Sequence, residues 1–242
     1  KQEFRNFFIP KKVDEEYMNR KARQEDKDWK IRVSTILHRI PVVLPDEEEW
    51  ERQYDDLKTY LGQYGKQYPK ELVGNIYENY EPQYTNDLLD KVPFTPAPRE
   101  TEHEDDICSL NRKLKTNLYL LIKEGDDDDD TWQFPTVELQ HDETLLDAAK
   151  RALKEKVSDR LDYWCPSNAP WSVDLQKFNE SSENESLYGT KTFFMKLQYD
   201  DSFGESTLST NEYGWMDRQE IVEKIKSQHN DERKTKLYHY ML

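Results

Sequence analysis

Residues 117–157 constrain the fold more than any other stretch of the chain. Asn117-Leu-Tyr-Leu-Leu-Ile-Lys123 is a short apolar run with polar ends, the pattern of a buried strand. Five consecutive aspartates, Asp126 to Asp130, follow as a solvated hairpin tip, and Trp132-Gln-Phe-Pro135 reads as the returning strand. Thr144 then stands as a helix N-cap with Asp147 three residues on, a weak capping box. In the helix expected over 144–157, Leu145, Ala149, Ala152 and Leu153 point inward. Two strands joined by a short loop speak against a parallel βαβ repeat, whose crossover needs a dozen or more residues. Lys191–Tyr199 reads as a further strand, and Glu212-Tyr-Gly-Trp215 leads to a final helix near 217–229. The expected class is α+β, built on a mixed sheet.

Upstream, the sequence changes character twice. Residues 31–44, IRVSTILHRIPVVL, are β-branched and apolar with Pro41 interrupting, which predicts an extended segment that packs onto something. Pro45-Asp46 opens a helix, with Asp46 as N-cap and Glu47, Glu48 and Glu49 favouring its dipole. Trp50, Tyr54, Leu57, Leu61 and Tyr64 follow at helical spacing as one stripe, placed either on the chain's own core or against a partner. A short helix pair is expected over 69–90. Pro93, Pro96, Pro98 and the acidic run from Glu100 to Asp106 then make a linker. The division is a basic extended N-terminal arm (1–44), a helical extension with linker (45–106), and a folded domain (107–242).

Charge narrows the functions available. The chain carries a net −15, yet residues 1–44 hold 11 basic against 7 acidic side chains. The rest of the chain is therefore more acidic still, and phosphate would be repelled by most of its surface, so general nucleic-acid binding is excluded. Lys11, Lys12, Arg20, Lys21 and Arg23 either touch a polyanion locally or form a solvated basic arm. No stretch reaches the length of a membrane span. Lys-Gln-Glu-Phe-Arg at the start does not read as a secretory signal. Cys108 and Cys165 lack zinc or redox spacing, the 5 histidines form no His-x-x-x-His pair, and the 7 glycines make no nucleotide-cradling loop. Trp164 and Trp171, around Asn168-Ala-Pro170, either seal a domain edge or stack a base.

The segment from Trp132 to Ser158 resembles the signature of the Nudix fold. Glu143, Arg151, Leu153 and Glu155 match it, while Val137 and Ser158 replace its glycines, Ala152 and Lys156 replace two glutamates, and Asp159 replaces the last aliphatic. The resemblance implies an α/β/α sandwich with a mixed sheet, preceded here by a partly extended, partly helical N-terminal region. In Nudix enzymes three glutamates at i, i+3 and i+4 share one helix face and hold magnesium against a diphosphate. Here that face reads Ala152, Glu155, Lys156. Alanine cannot ligate, and lysine repels: at ~4 Å and an effective dielectric near 20, each unit-charge pair is worth roughly 4 kcal/mol. Val137 also removes the residue best suited to positive φ before the helix. Glu143 and Arg151 are explained by an ionic role holding loop to helix. No metal and no cofactor are expected.

A narrower resemblance rests on Ser109-Leu-Asn-Arg-Lys-Leu, Asn117-Leu, Trp132, Pro135, Glu143-Thr-Leu, Asn168-Ala-Pro and the upstream ILHRIPVVLP. Together these are similar to the Nudix-like family numbered forty-six in the mitochondrial ribosome's large subunit. What that resemblance implies is a non-enzymatic ribosomal protein of the mitochondrial matrix, near the central protuberance. Its partners would be other large-subunit ribosomal proteins, with limited rRNA contact, no membrane and no homo-oligomer. Lys11, Lys12, Arg20, Lys21, Arg23, Trp50 and Tyr54 are the partner-binding candidates, and removal of 1–64 should abolish attachment. The alternative is a divergent magnesium-dependent hydrolase of nucleoside-diphosphate-type substrates using Glu155 and a nearby acid. A nucleotide-sensing module without turnover is a third reading.

Overall fold

A computed structural model describes residues 2–64, 105–124, 131–178, 186–200, 212–229 and 231–242. The expected helix pair over 69–90, the proline linker and the Asp126–Asp130 tip lie outside the described residues. Contacts divide the chain into two units, residues 1–41 with 100–242, and residues 42–99.

The first unit is organised by its N-terminal segment. β1 (Asp28–Arg39) is the central strand of the sheet, pairing in parallel with β7 (Leu187–Tyr199) from Asp28↔Leu187 to His38↔Gln198. On its other edge β1 pairs antiparallel with β4 (Thr136–Glu138) and with the start of β2 (Leu118–Glu124). The hairpin expected around the aspartates is present in its strands: β2 pairs with β3 (Thr131–Gln133), Glu124 opposite Thr131. β5 (Tyr163–Trp164) and β6 (Ser172–Lys177) flank β7, and β8 (Tyr213–Met216) flanks β2. One parallel pair among antiparallel ones is the mixed sheet the sequence predicts.

Strand alternation separates two cores. Leu37, Leu118, Leu120 and Ile122 face one side with Leu153, and Val33 and Met195 cluster with Ala148, Ala149 and Ala152. These alanines and Leu153 belong to α3 (Leu145–Lys156), capped by Thr144, whose Oγ1 accepts from Asp147 N at 3.2 Å. Ile36, Tyr119, Leu121 and Phe194 face the opposite side. There they meet Ile221 and Ile225 of α4 (Arg218–His229), and Leu237 and Met241 of α5 (Glu232–Met241). Helices therefore cover both faces, as an α/β/α sandwich requires.

Residues 1–44 do not form an extended arm. Gln2–Gln24 is a helix, α1, with Pro10 inside it. Its inward positions, Phe7, Lys11, Glu15, Met18 and Ala22, follow helical spacing but include two charged residues, so no apolar stripe announces it. Pro10, which removes one backbone hydrogen bond, argues locally against a helix as well. Because β1 is central, removing 1–64 would delete the middle of the sheet rather than detach a tether.

In the second unit, α2 (Glu49–Tyr64) begins later than Asp46. Glu48 acts as its cap: its carbonyl accepts from Glu51 N and Arg52 N, and its own N–H donates to the Glu51 carboxylate at 2.9 Å. Trp50, Tyr54, Leu57 and Leu61 are all exposed rather than packed.

Candidate functional site

The loop from β4 into α3 is shaped around one arginine. Arg151, two turns into α3, turns back over the loop, and its Nε donates to Glu143 Oε1 at 2.8 Å while Nη2 donates to Oε2 at 2.9 Å. Nη2 also donates to the Glu138 carbonyl at 2.7 Å, and Nη1 reaches Glu155 Oε2 at 3.3 Å. Glu143 Oε2 further accepts from Gln140 N at 3.2 Å. The Arg151 hydrogen bond holds the Glu143 carboxyl below the usual carboxylate range, and the same bond raises the arginine. A planar guanidinium matched edge-on to a carboxylate gives geometric restraint that a lysine could not supply. This pair pins the loop onto the helix.

The signature positions fare differently from one another. Ala152 is fully buried beside Val33, Val137 and Met195, so its side chain is part of the packing under α3. Lys156 pairs with the carboxylate of Glu124, whose other oxygen accepts from Gln133 Nε2 at 2.7 Å. Glu155, half exposed, lies beside Arg151. Lys30 pairs with Glu138. Thus Glu124, Glu138, Glu143 and Glu155 each face a cation supplied by the chain itself. A magnesium ion needs several oxygens free to converge on it. Among the described residues no group of three or more His, Cys, Asp or Glu could hold a metal ion. The residues present do not fit the ion that the Nudix resemblance implies.

Val137 requires a correction. It is a strand residue of β4, opposite Val33 and 7% exposed, and its backbone is not left-handed. Positive φ in this loop falls instead at Asp142, 65°, a residue type that tolerates the left-handed region. The valine is therefore explained by packing, and the loop turns without a glycine.

The partner-binding candidates also separate. Lys11 is 7% exposed and pairs with Glu15, with its ammonium donating to the Val173 carbonyl at 2.6 Å. It ties α1 to β6 and leaves the outward set. Lys12, Arg20 and Arg23 are exposed, while Lys21 Nζ lies 5.8 Å from the centre of the Tyr17 ring. Trp50 and Tyr54 are each 62% exposed on α2. Trp164 and Trp171 do not seal an edge, at 57% and 58% exposed, and Lys196 Nζ sits 4.8 Å over the Trp171 ring.

Two residues with organising roles escaped the sequence reading. Arg39 donates to the carbonyls of Arg112, Lys113 and Thr116 at 3.1, 3.0 and 2.8 Å. Arg112, 5% exposed, holds Glu220 with both nitrogens, at 3.0 and 2.7 Å, and donates to the Trp215 carbonyl at 2.9 Å. Glu124 was legible in principle, since a lysine standing where an acid is expected calls for a counter-charge.

Residues 29–81 match the family described as 39S mitochondrial ribosomal protein L46. The chain is also 39% identical over 107 residues to mouse large ribosomal subunit protein mL46, which is 43% of this chain and 38% of the mouse protein. Over these stretches the chain resembles the L46 family. The bovine mL46 protein is 29% identical over 157 residues, 64% of this chain and 54% of its own length. The chain thus spans less than two thirds of the length of the curated relatives it matches. The L46 match takes in β1 and α2 and ends before the Glu143–Lys156 patch. Among solved structures, a C. elegans Ap4A hydrolase overlays with a TM-score of 0.41 and 7% identity, covering 88% of this chain and 99% of that one. At that score the overlay adds nothing to the sheet order and helix placement described above.

Proposed function

We propose that this chain is a member of the L46 family and a structural, non-enzymatic constituent of the mitochondrial large ribosomal subunit, working in the matrix. On the family resemblance it would sit near the central protuberance, bound to neighbouring ribosomal proteins with limited rRNA contact and without pairing to a second copy of itself. The observation that carries the reading is the similarity to relatives named for that subunit, which runs through the central strand β1. The site geometry supports it from the other side: an internal cation already faces each carboxylate of the α3 patch, and Ala152 is buried. No helix among the described residues is long and apolar enough to cross a membrane.

The test is sedimentation of the tagged full chain from mitochondria on sucrose gradients. The protein is expected in the large-subunit and monosome fractions; a chain confined to the free pool overturns the ribosomal role. Purified protein is expected to release no phosphate from nucleoside diphosphate derivatives with magnesium. Turnover that disappears in Glu155→Gln would overturn the non-enzymatic half alone.

A further inference from the structure

α2 carries an apolar face that its own fold leaves open. Trp50, Tyr54, Leu57 and Leu61 follow at helical spacing and line one side, with Tyr60 at the margin. All five are more than half exposed. The other side chains from Glu49 to Gln63 are exposed too, save Glu51, which is partly covered. A helix of 16 residues with no buried face is marginal in water, because helices in proteins draw most of their stability from packing an amphipathic face. The stripe therefore calls for a cover.

The charges around the stripe give that cover its sign. At 3.6 residues per turn, Glu51 and Asp55 run along one flank with Lys58, and Glu49 and Asp56 run along the other. Arg52 stands on the opposite side of the helix, 3.7 Å from the Glu49 carboxylate. Residues 46–64 together hold 7 acidic against 2 basic side chains. Glu49 and Glu51 in the first turn serve the helix dipole. Asp55 and Asp56 stand beyond that turn, and aspartate is a weak helix former, so helix formation does not account for them. An acidic rim repels RNA phosphate. Residues 65–99, the remainder of this unit, carry 4 basic against 5 acidic side chains and do not supply the counter-charge. A basic helix with apolar residues at matching spacing satisfies both the stripe and its rim.

We propose that α2 docks a basic amphipathic segment of a neighbouring ribosomal protein, which rests on the ribosomal role proposed above. Trp50, Tyr54, Leu57 and Leu61 enter the partner's apolar stripe, with the two aromatics as anchors. Glu51 and Asp55 on one flank, and Glu49 and Asp56 on the other, lie against its lysines and arginines and fix its register. α2 is ~24 Å long, and a strip one helix wide falls short of the ~800 Å² per partner of a free-standing interface. It therefore acts as one of several contacts within an assembly.

The experiment uses the tagged full chain in mitochondria. Trp50→Ala/Tyr54→Ala/Leu57→Ala/Leu61→Ala is expected to lower the particle-bound share roughly tenfold. The melting temperature of the purified chain should stay unchanged, since these side chains bury little within it. Asp55→Lys/Asp56→Lys, which keeps the stripe and reverses part of the rim, is expected to lower the bound share as well. A photo-crosslinking benzoylphenylalanine at position 54, in purified large subunits, is expected to join a protein segment in which Lys and Arg flank apolar residues at helical spacing. Wild-type binding by the alanine quadruple variant, or a crosslink to rRNA, to an acidic segment or back into this chain, overturns the docking proposal and leaves the ribosomal role standing. A wild-type chain absent from the particles sinks both at the earlier step.

Discussion

Two arginine–glutamate clamps, one on each side of the sheet, do the same mechanical job in different surroundings. On the α3 side Arg151 grips Glu143 at 2.8 and 2.9 Å, with side chains 21% and 14% exposed. On the α4 side Arg112 grips Glu220 at 2.7 and 3.0 Å, and the arginine side chain is only 6% exposed. Both pin a loop to a helix. Only the first uses residues of the Nudix signature, yet the second shows that such a clamp is worth building where no signature exists. The presence of Glu143 and Arg151 therefore needs no chemistry to explain it. The difference between them is solvation: Arg151 can turn to water when its partner is lost, and Arg112 cannot.

That difference predicts unequal costs. Glu220→Ala removes the carboxylate that Arg112 holds with both nitrogens in a buried setting and should destabilise the folded unit by ~3 kcal/mol or more. Glu143→Ala should cost about 1–2 kcal/mol, because Arg151 rehydrates. Thermal melts followed by tryptophan fluorescence measure both; equal costs would break the comparison. The two also differ in their acid response. Burial opposes ionisation of Glu220, but hydrogen bonds from Arg112 and Lys113 outweigh it and hold the carboxyl down to about 2. A carboxyl lowered on folding stabilises fully above its unfolded value near 4.5 and loses that contribution as pH falls towards 2. Wild-type stability should thus fall between those limits, and Glu220→Gln should flatten the fall while lowering the plateau. Glu143, also lowered, shifts in the same direction.

An acid placed at position 152 of α3 tests whether the face that resembles the Nudix signature departs from it only at its surface. Ala152 is 0% exposed among Val33, Val137 and Met195. Ala152→Glu must overfill that packing and bury a carboxylate, at a cost of ~2–3 kcal/mol. A variant as stable as wild type that also gains stability from magnesium would show the cation site to be dormant rather than filled in. Arg151→Lys, next in size, should cost about 1 kcal/mol by giving up the two-pronged grip.

The sheet and α3 were legible because their signals are local: an apolar run before the aspartates, a Thr144 cap, and alanines at helical spacing. α1 was not, because Lys11 and Glu15 occupy inward positions as an ion pair, which reads as a solvated face in sequence. The central place of β1 was hidden for another reason. Its parallel partner β7 lies about 160 residues away, and no local pattern states which distant strand will pair with it. The site shows the same division. That Ala152 and Lys156 cannot hold magnesium follows from residue type alone, whereas the identity of the Lys156 counter-ion requires the β2–β3 hairpin to bring Glu124 beside α3. Val137 misled because a motif position was read as loop when the chain was still in strand there.

The smallest expected effect decides most sharply between a filled and a vacant patch. Lys156 and Glu124 are each 35% exposed, so their pair is hydrated and screened, and Lys156→Ala should cost less than about 1 kcal/mol, falling further in high salt. If the lysine only balances Glu124, removing it frees one carboxylate of β2, while Glu155 still lies beside Arg151 and Ala152 still offers no oxygen. One freed carboxylate on β2 and one on α3 that already faces an arginine do not make an octahedral site. Millimolar magnesium should therefore leave the melting temperature of Lys156→Ala where it was. A rise with magnesium, absent in Lys156→Ala/Glu155→Gln, would mean that the lysine is a plug in a site still shaped for the ion, and the likeness between the two clamps would end there.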